Sequence, residues 1–341
     1  MSDRQTAVAL ADRPSGPVSP ETFRLIEVPV PQPGPDDVLV EIVYLSVDPY
    51  MRGLIGATSR YAEGFRLNEP CWGRTIGRVV ASQHPDYAKG DWVFGMLPWT
   101  RLALAKNGAG LRKVDPALCP LSYYLGTMGF PGLTAWVGTM VFGKPRPGET
   151  LFVSAASGAV GQVACQLGRL QGARVVGSAG TDAKCAFVRE RCGADTVFNY
   201  RDAASPLEGI SRACPDGIDV DFENVGGETL DAVLECCNEG ARVVICGQIS
   251  QYEQSERYGV RNLWAMTQKR LSMHGFIVRD HAHLLPTYLE RMARWLADGE
   301  VEVSETIRDG LENLPHAFVD MMAGRNFGKQ VVRIGEDPFL K

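Results

Sequence analysis

The sequence predicts an α/β chain in two domains, one a doubly wound parallel sheet flanked by helices, the other a smaller, mainly β barrel or sandwich. Three observations carry this. The 341 residues exceed what one hydrophobic core usually supports. Up to about residue 125, short β-like segments alternate with breaks rich in Pro and Gly. From Gly126 to about residue 300, strand-like runs alternate with amphipathic helical ones, which implies βαβ units.

In the first region, strands are expected over 23–30, 37–47, 76–82 and 92–96, parted by turns such as Pro31-Gln32-Pro33-Gly34-Pro35 and Lys89-Gly90-Asp91. In the second, the run is strand 150–154, helix 159–171, strand 174–179, helix 183–192, strands 196–200 and 220–224, helix 228–237 and strand 241–246. A helix over 282–296 follows, because Leu285, Tyr288, Leu289, Met292, Trp295 and Leu296 fall on one helical stripe. A helix at 314–322 and a strand at 330–334 close the chain.

Lys+Arg 35 against Asp+Glu 40 gives a net charge of −5, which offers no pull on phosphate backbones or anionic lipid. Nucleic acid and membrane are therefore not expected as partners. No apolar run approaches the roughly 20 residues of a spanning helix, and the start Met1-Ser2-Asp3-Arg4 does not resemble a signal peptide, so the expected location is cytoplasmic. The nine cysteines form no CxxC pair, and reduced thiols are expected.

The main chemical signal is the segment Thr150–Ser154, then Ala155-Ala156-Ser157-Gly158-Ala159-Val160-Gly161, then a helix with Val160, Val163, Ala164, Leu167 and Leu170 on one side. A buried strand, a turn of small residues and a helix N-terminus aim backbone N–H groups and the helix dipole at a pyrophosphate. The pattern AxxGxxG is weaker than GxGxxG, but its βαβ setting is the required one. An NAD site would carry Asp or Glu at the tip of the second strand; here the tip reads Gly177-Ser178-Ala179-Gly180, with Lys184 four residues on. That choice favours NADP(H), with Asp182, beside Thr181, suiting a helix cap instead of a ribose contact.

Several blocks together resemble a zinc-free medium-chain dehydrogenase/reductase of the branch holding prostaglandin/leukotriene reductases, plant alkenal double-bond reductases and bacterial curcumin reductase-type enzymes. They are Ser46–Arg52, Gly132–Trp136, Ala155–Gly161, Phe222–Gly226, Cys246–Tyr252 and Gly324–Lys329. The resemblance implies a GroES-like barrel domain over 1–125 and 305–341 and a Rossmann NADP-binding domain over 126–304. It implies that Gly158, Ala159, Val160 and Gly161 cradle the pyrophosphate and that Lys184 and Tyr200 hold the 2′-phosphate end. Along the nicotinamide half it sets Asn224, the loop of Cys246, Gly247, Gln248, Ile249 and Ser250, then Phe276, Ile277, Val278 and Asn326. Tyr252 is the implied catalytic hydroxyl, with Tyr50, Trp72, Met96 and Trp99 as candidates to line the small-molecule substrate. A homodimer through the sheet edge near 271–277 is also implied.

Zinc-dependent relatives need thiolate and imidazole ligands in the first domain. Here Tyr44-Leu45-Ser46-Val47 and Gly73-Arg74-Thr75-Ile76-Gly77 stand where those would lie, and His281 and His283 have no third ligand nearby in sequence, so no metal is expected. Without a Lewis acid, reducing a conjugated C=C asks only for hydride at the β-carbon and hydroxyl donors for the enolate. The expected activity is NADPH-dependent reduction of α,β-unsaturated ketones or aldehydes; a quinone reductase and a non-catalytic NADPH-binding protein are the alternatives.

Overall fold

The computed structural model describes residues 3–56 and 63–340. Its chain divides into two units, Met1–Leu125 with Glu305–Lys341, and Gly126–Ser304.

In the first unit, β1 (Arg4–Leu10) and β2 (Phe23–Pro29) form an antiparallel pair. The larger sheet is built on β3 (Val38–Ser46), β4 (Trp72–Ser82), β5 (Trp92–Pro98), β6 (Leu102–Ala105) and β7 (Arg112–Lys113). A short helix, α1 (Met51–Ile55), follows β3. β4 begins earlier than the sequence suggests because Trp72 already pairs with Pro98 across the ladder. The core here is aliphatic and aromatic, with Val40, Ile42, Leu45, Met51, Phe65, Trp99 and Phe318 among its buried members.

The second unit opens with α2 (Phe130–Trp136), which runs into a π-helical stretch, Val137–Gly143, not anticipated from the residue pattern. Its parallel sheet comprises β8 (Thr150–Val153), β9 (Arg174–Ala179), β10 (Thr196–Asn199), β11 (Ile218–Glu223), β12 (Cys237–Ile245) and β13 (Ser272–Gly275), in the spatial order β10-β9-β8-β11-β12-β13. β8, and β9 after its first residue Arg174, read as unbroken runs of apolar or small residues, as strands buried on both faces must. Between successive strands of the sheet lie α3 (Gly161–Leu170), α4 (Asp182–Glu190), α5 (Pro206–Ala213), α6 (Glu228–Cys236) and α7 (Trp264–Gln268). The order reverses between β8 and β11, and the carboxyl ends at such a switch point are where open α/β sheets bind ligands.

The helix expected over 282–296 splits into a 3-10 turn, Val278–Leu284, and α8 (Leu285–Ala297). Pro286 is the cause: it has no N–H to give a preceding turn and belongs in the first turn of a helix. Gln162 and Gln166 of α3 then hold the chain after α8. Gln162 Nε2 donates to Ser304 O (3.1 Å) while its Oε1 accepts the Ser304 N–H (2.9 Å), and Gln166 repeats the exchange with Glu302 (2.9 and 2.7 Å).

The chain then returns to the first unit as β14 (Glu305–Asp309), α9 (Leu314–Met322) and β15 (Lys329–Arg333). β15 pairs with Tyr44–Ser46 of β3, and β6 takes Val38–Glu41.

Candidate functional site

Parallel strands deliver their following loops to one edge, so Gly158–Gly161, Lys184, Tyr200, Asn224 and the loop from Cys246 to Tyr252 follow the carboxyl ends of five strands of one sheet. The turn after β8 is tight: Ala155 has φ +48°, the Gly158 N–H donates to Ala155 O (3.0 Å), and a Cβ at Gly161 would collide with that carbonyl. Only glycine lets the helix start so close to the strand end. Gly158, Ala159 and Val160 are half-buried at the rim, where the first turn of α3 presents its N–H groups.

At the tip of β9, Thr181 caps α4, its hydroxyl accepting the Lys184 N–H (3.3 Å). Asp182 lies in the first helical turn, and its carboxylate accepts from Asn199 Nδ2 (3.1 Å). Lys184 is buried, and burial followed by the charge of Arg201 pulls its pKa down. Arg201 stands over the Tyr200 ring at 5.9 Å, and a Cβ at Gly180 would lie 2.8 Å from the Tyr200 hydroxyl. Two cations drawn together beside a phenol are arranged to receive an anion. Arg201 is a residue the sequence reading missed, although its place directly after Tyr200 was a usable signal.

The floor of the switch point is a hydrogen-bonded lock. Ser154 Oγ donates to Glu223 Oε1 (2.7 Å); Asn224 N–H donates to Ser154 Oγ (2.7 Å) and Asn224 Nδ2 to Ser154 O (2.7 Å). Glu223 Oε1 also accepts the Val225 and Gly226 N–H groups (2.5 and 2.9 Å). Burial pushes the Glu223 carboxyl up, these hydrogen bonds offsetting part of the effect. Asn224 was read from its motif; Ser154 and Glu223, which fix its orientation, were not.

The loop after β12 is laced to this floor. Cys246 and Gly247 N–H groups donate to Glu223 O (2.9 and 3.0 Å), Ile249 N–H to Asn224 O (3.0 Å), and Ser250 Oγ to Val225 O (2.6 Å). Gln248 opens the short 3-10 turn Ile249–Gln251, and Tyr252 closes it, its oxygen accepting the Gln248 N–H (3.3 Å). Burial, with the Glu223 charge, pushes the Cys246 thiol up to about 12, so it is not a thiolate at neutral pH. Phe276 meets Phe142 at 5.5 Å and His281 at 6.4 Å; Ile277 is exposed, and Val278 begins the 3-10 turn before α8.

The remaining candidates belong to the first unit. Asn326 is half-buried and donates from Nδ2 to Gly328 O (2.8 Å). Tyr50 and Trp72 are partly buried, Trp72 packing edge-on against Phe65 at 5.6 Å, and Met96 is exposed. Trp99 is a correction. It is fully buried between Phe23 and Phe65 in the core, so its indole cannot serve as a substrate wall; strand-end aromatics read alike in sequence whether they face a core or a cleft. Among the described residues, no three His, Cys, Asp or Glu side chains converge to hold a metal ion, and no helix is long and apolar enough to cross a membrane.

Residues 6–114 match the family described as N-terminal domain of oxidoreductase, and residues 159–297 the family described as zinc-binding dehydrogenase. The chain is 40% identical to the NADPH-dependent curcumin reductase of Escherichia coli (strain K12), over 96% of each chain. It is 42% identical to the NADP(+)-dependent 2-alkenal reductase of Nicotiana tabacum, over 92% of this chain and 91% of the relative. Among solved structures, CurA from Vibrio vulnificus in complex with NADPH superposes with a TM-score of 0.91 at 38% identity, over 97% of this chain and 100% of the other.

Proposed function

The chain belongs to the medium-chain dehydrogenase/reductase superfamily, in the branch of the curcumin, 2-alkenal and prostaglandin reductases, and on that premise we propose that it is an NADP(H)-dependent oxidoreductase reducing the C=C bond of α,β-unsaturated ketones and aldehydes. One observation carries the reading: a pyrophosphate turn, a cationic strand tip and a loop bearing a phenol follow the carboxyl ends of one parallel sheet, in a chain similar along nearly its whole length to NADP-dependent reductases.

The residues fit such a cofactor. The turn at Gly158–Gly161 leaves room that a Cβ at Gly161 would fill, and Lys184, Arg201 and Tyr200 suit a 2′-phosphate where a carboxylate would repel it. Asn224 and the Cys246–Ser250 loop would border the nicotinamide half, with Phe276–Val278 and Asn326. When bound, the reduced nicotinamide supplies hydride to the β-carbon of the substrate.

Tyr252 then has a definable task. Its oxygen already accepts the Gln248 N–H, which polarises the O–H and makes it a better donor toward the substrate carbonyl. That bond strengthens as negative charge gathers on the carbonyl oxygen, so it lowers the barrier more than it aids binding. Tyr50, Trp72 and Met96 would wall the substrate. We read the protein as cytoplasmic and as a homodimer through the edge strand β13; Leu263 and Trp264, before it in the chain, and Ile277, just after it, are exposed.

The test is NADPH oxidation with a panel of enals, enones, diarylheptanoids and quinones. Turnover of enals or enones is expected, and Tyr252→Phe should lower kcat and kcat/KM together by about 10²–10³ with NADPH affinity little changed. Quinone turnover alone would replace this reading with a quinone reductase, and no turnover of any panel member would leave a non-catalytic NADPH-binding protein.

A further inference from the structure

Within the first unit, three ionised side chains stand together beside Tyr50. Lys329, only 1% exposed, donates from Nζ to Val47 O (2.6 Å) and Gln330 O (2.9 Å) and pairs with Asp48 Oδ1 at 3.3 Å. The other Asp48 oxygen accepts from Ser46 Oγ (2.6 Å) and lies 3.3 Å from Arg74 Nη1. The Arg74 guanidinium, its side chain 16% exposed, sits 5.0 Å above the centre of the Tyr50 ring.

Two cations and one anion leave an excess of one positive charge. Burial alone would push the Asp48 carboxyl up, but Lys329 and Arg74 outweigh it and hold Asp48 below the ordinary carboxylate range. Glu305, near Lys329, cancels the excess only when ionised, and burial pushes its carboxyl up to about 7. A buried set of this kind gives little stability over apolar side chains of the same volume, because desolvation consumes most of the attraction. It does fix geometry: Asp48 is anchored from behind by Lys329, so Arg74 is held to one place over the ring, where a planar cation binds an aromatic face well.

We propose that Arg74 is a positioning residue that orients Tyr50 and holds a positive charge against the face of that ring, selecting conjugated carbonyl compounds whose oxygen acquires or already bears enolate charge. This rests on the reading that a conjugated carbonyl is reduced beside Tyr50. A cation so placed does little for a neutral enone in its ground state and more as charge develops, because the dipoles and charges are already oriented when it does.

The test compares wild type, Arg74→Met and Arg74→Lys in the full chain, by steady-state kinetics on a neutral enone and by calorimetric binding of acetylacetonate, a stable enolate. Arg74→Met should lower kcat about 10²-fold with KM changed by less than about threefold, and should weaken acetylacetonate about tenfold or more. Arg74→Lys, which keeps the charge but loses the planar stack, should recover a good part of both. If Arg74→Met fails to fold, Arg74→Gln takes its place in the same comparison. Wild-type kcat and unchanged acetylacetonate binding in the variant lacking the charge would overturn the proposal, as would an Arg74→Lys variant no better than it. A wild-type protein that turns over no conjugated carbonyl compound would instead sink the enone-reductase reading itself, a different result from an active wild type indifferent to Arg74.

Discussion

In the first unit, buried Lys329 has a carboxylate at 3.3 Å and Tyr44 donates to the Asp337 carboxylate at 2.9 Å, both in places sealed from water. In the second, Asp221 and Glu223 are equally buried on one strand, and among the described residues neither forms an ion pair. Glu223 has backbone and serine donors on one oxygen; Asp221 has no hydrogen-bond partner on either. One unit therefore holds the buried Asp48 in its charged form by pairing it, while in the other, burial pushes two unpaired acids toward the protonated form. Pairing preserves an electric field that chemistry can use; protonation gives the field up and ties stability to pH.

The largest effect should come from breaking the paired side. Lys329→Met keeps the length of the side chain and strands Asp48 against Arg74 alone, so the first unit should lose about 3–5 kcal/mol in urea or thermal unfolding. A loss under about 1 kcal/mol would mean that Arg74 suffices to hold Asp48.

The unpaired side should respond in the opposite sense. Burial, then the Glu223 charge, push Asp221 well above its ordinary value of 3.8. Because the folded-state value is raised, the contribution to stability is complete below about pH 3.8 and is lost as pH rises toward the folded-state value. Asp221→Asn abolishes that titration, so its stability relative to wild type should improve steadily from pH 4 to pH 8. The gain accrues through proton linkage, at about 1.4 kcal/mol for each unit by which the folded-state value exceeds the unfolded one. A difference that does not change with pH would show that Asp221 is charged in the folded protein.

Much of this was legible in the sequence because it is local. The strand, small-residue turn and helix at 150–170 announce themselves within 20 residues, and the tip Gly177–Gly180 is informative by lacking a carboxylate. What was hidden depends on distant partners. Ile218–Glu223, with acids at every second position, reads as half-exposed, yet β8 and β12 flank it, and Asp221 and Glu223 are buried. Arg74 looks like a solvated strand residue until Asp48 and Lys329 are brought to it from 26 residues before and 255 after. The π-helix over Val137–Gly143 has no sequence period that separates it from an α-helix.

The glutamine pair on α3 has a consequence for exchange with solvent. Residues 302 and 304 belong to no strand or helix, so their amides would ordinarily trade hydrogen for deuterium as fast as any loop. Each is instead donated to a buried glutamine carbonyl, as though a strand of two side chains had been laid beside the main chain. The amides of Glu302 and Ser304 should therefore exchange only when the first turns of α3 open, the same turns that start at Gly161. NADPH, by steadying that helix end, should slow both of them together while leaving exposed turn amides such as that of Gly110 unchanged.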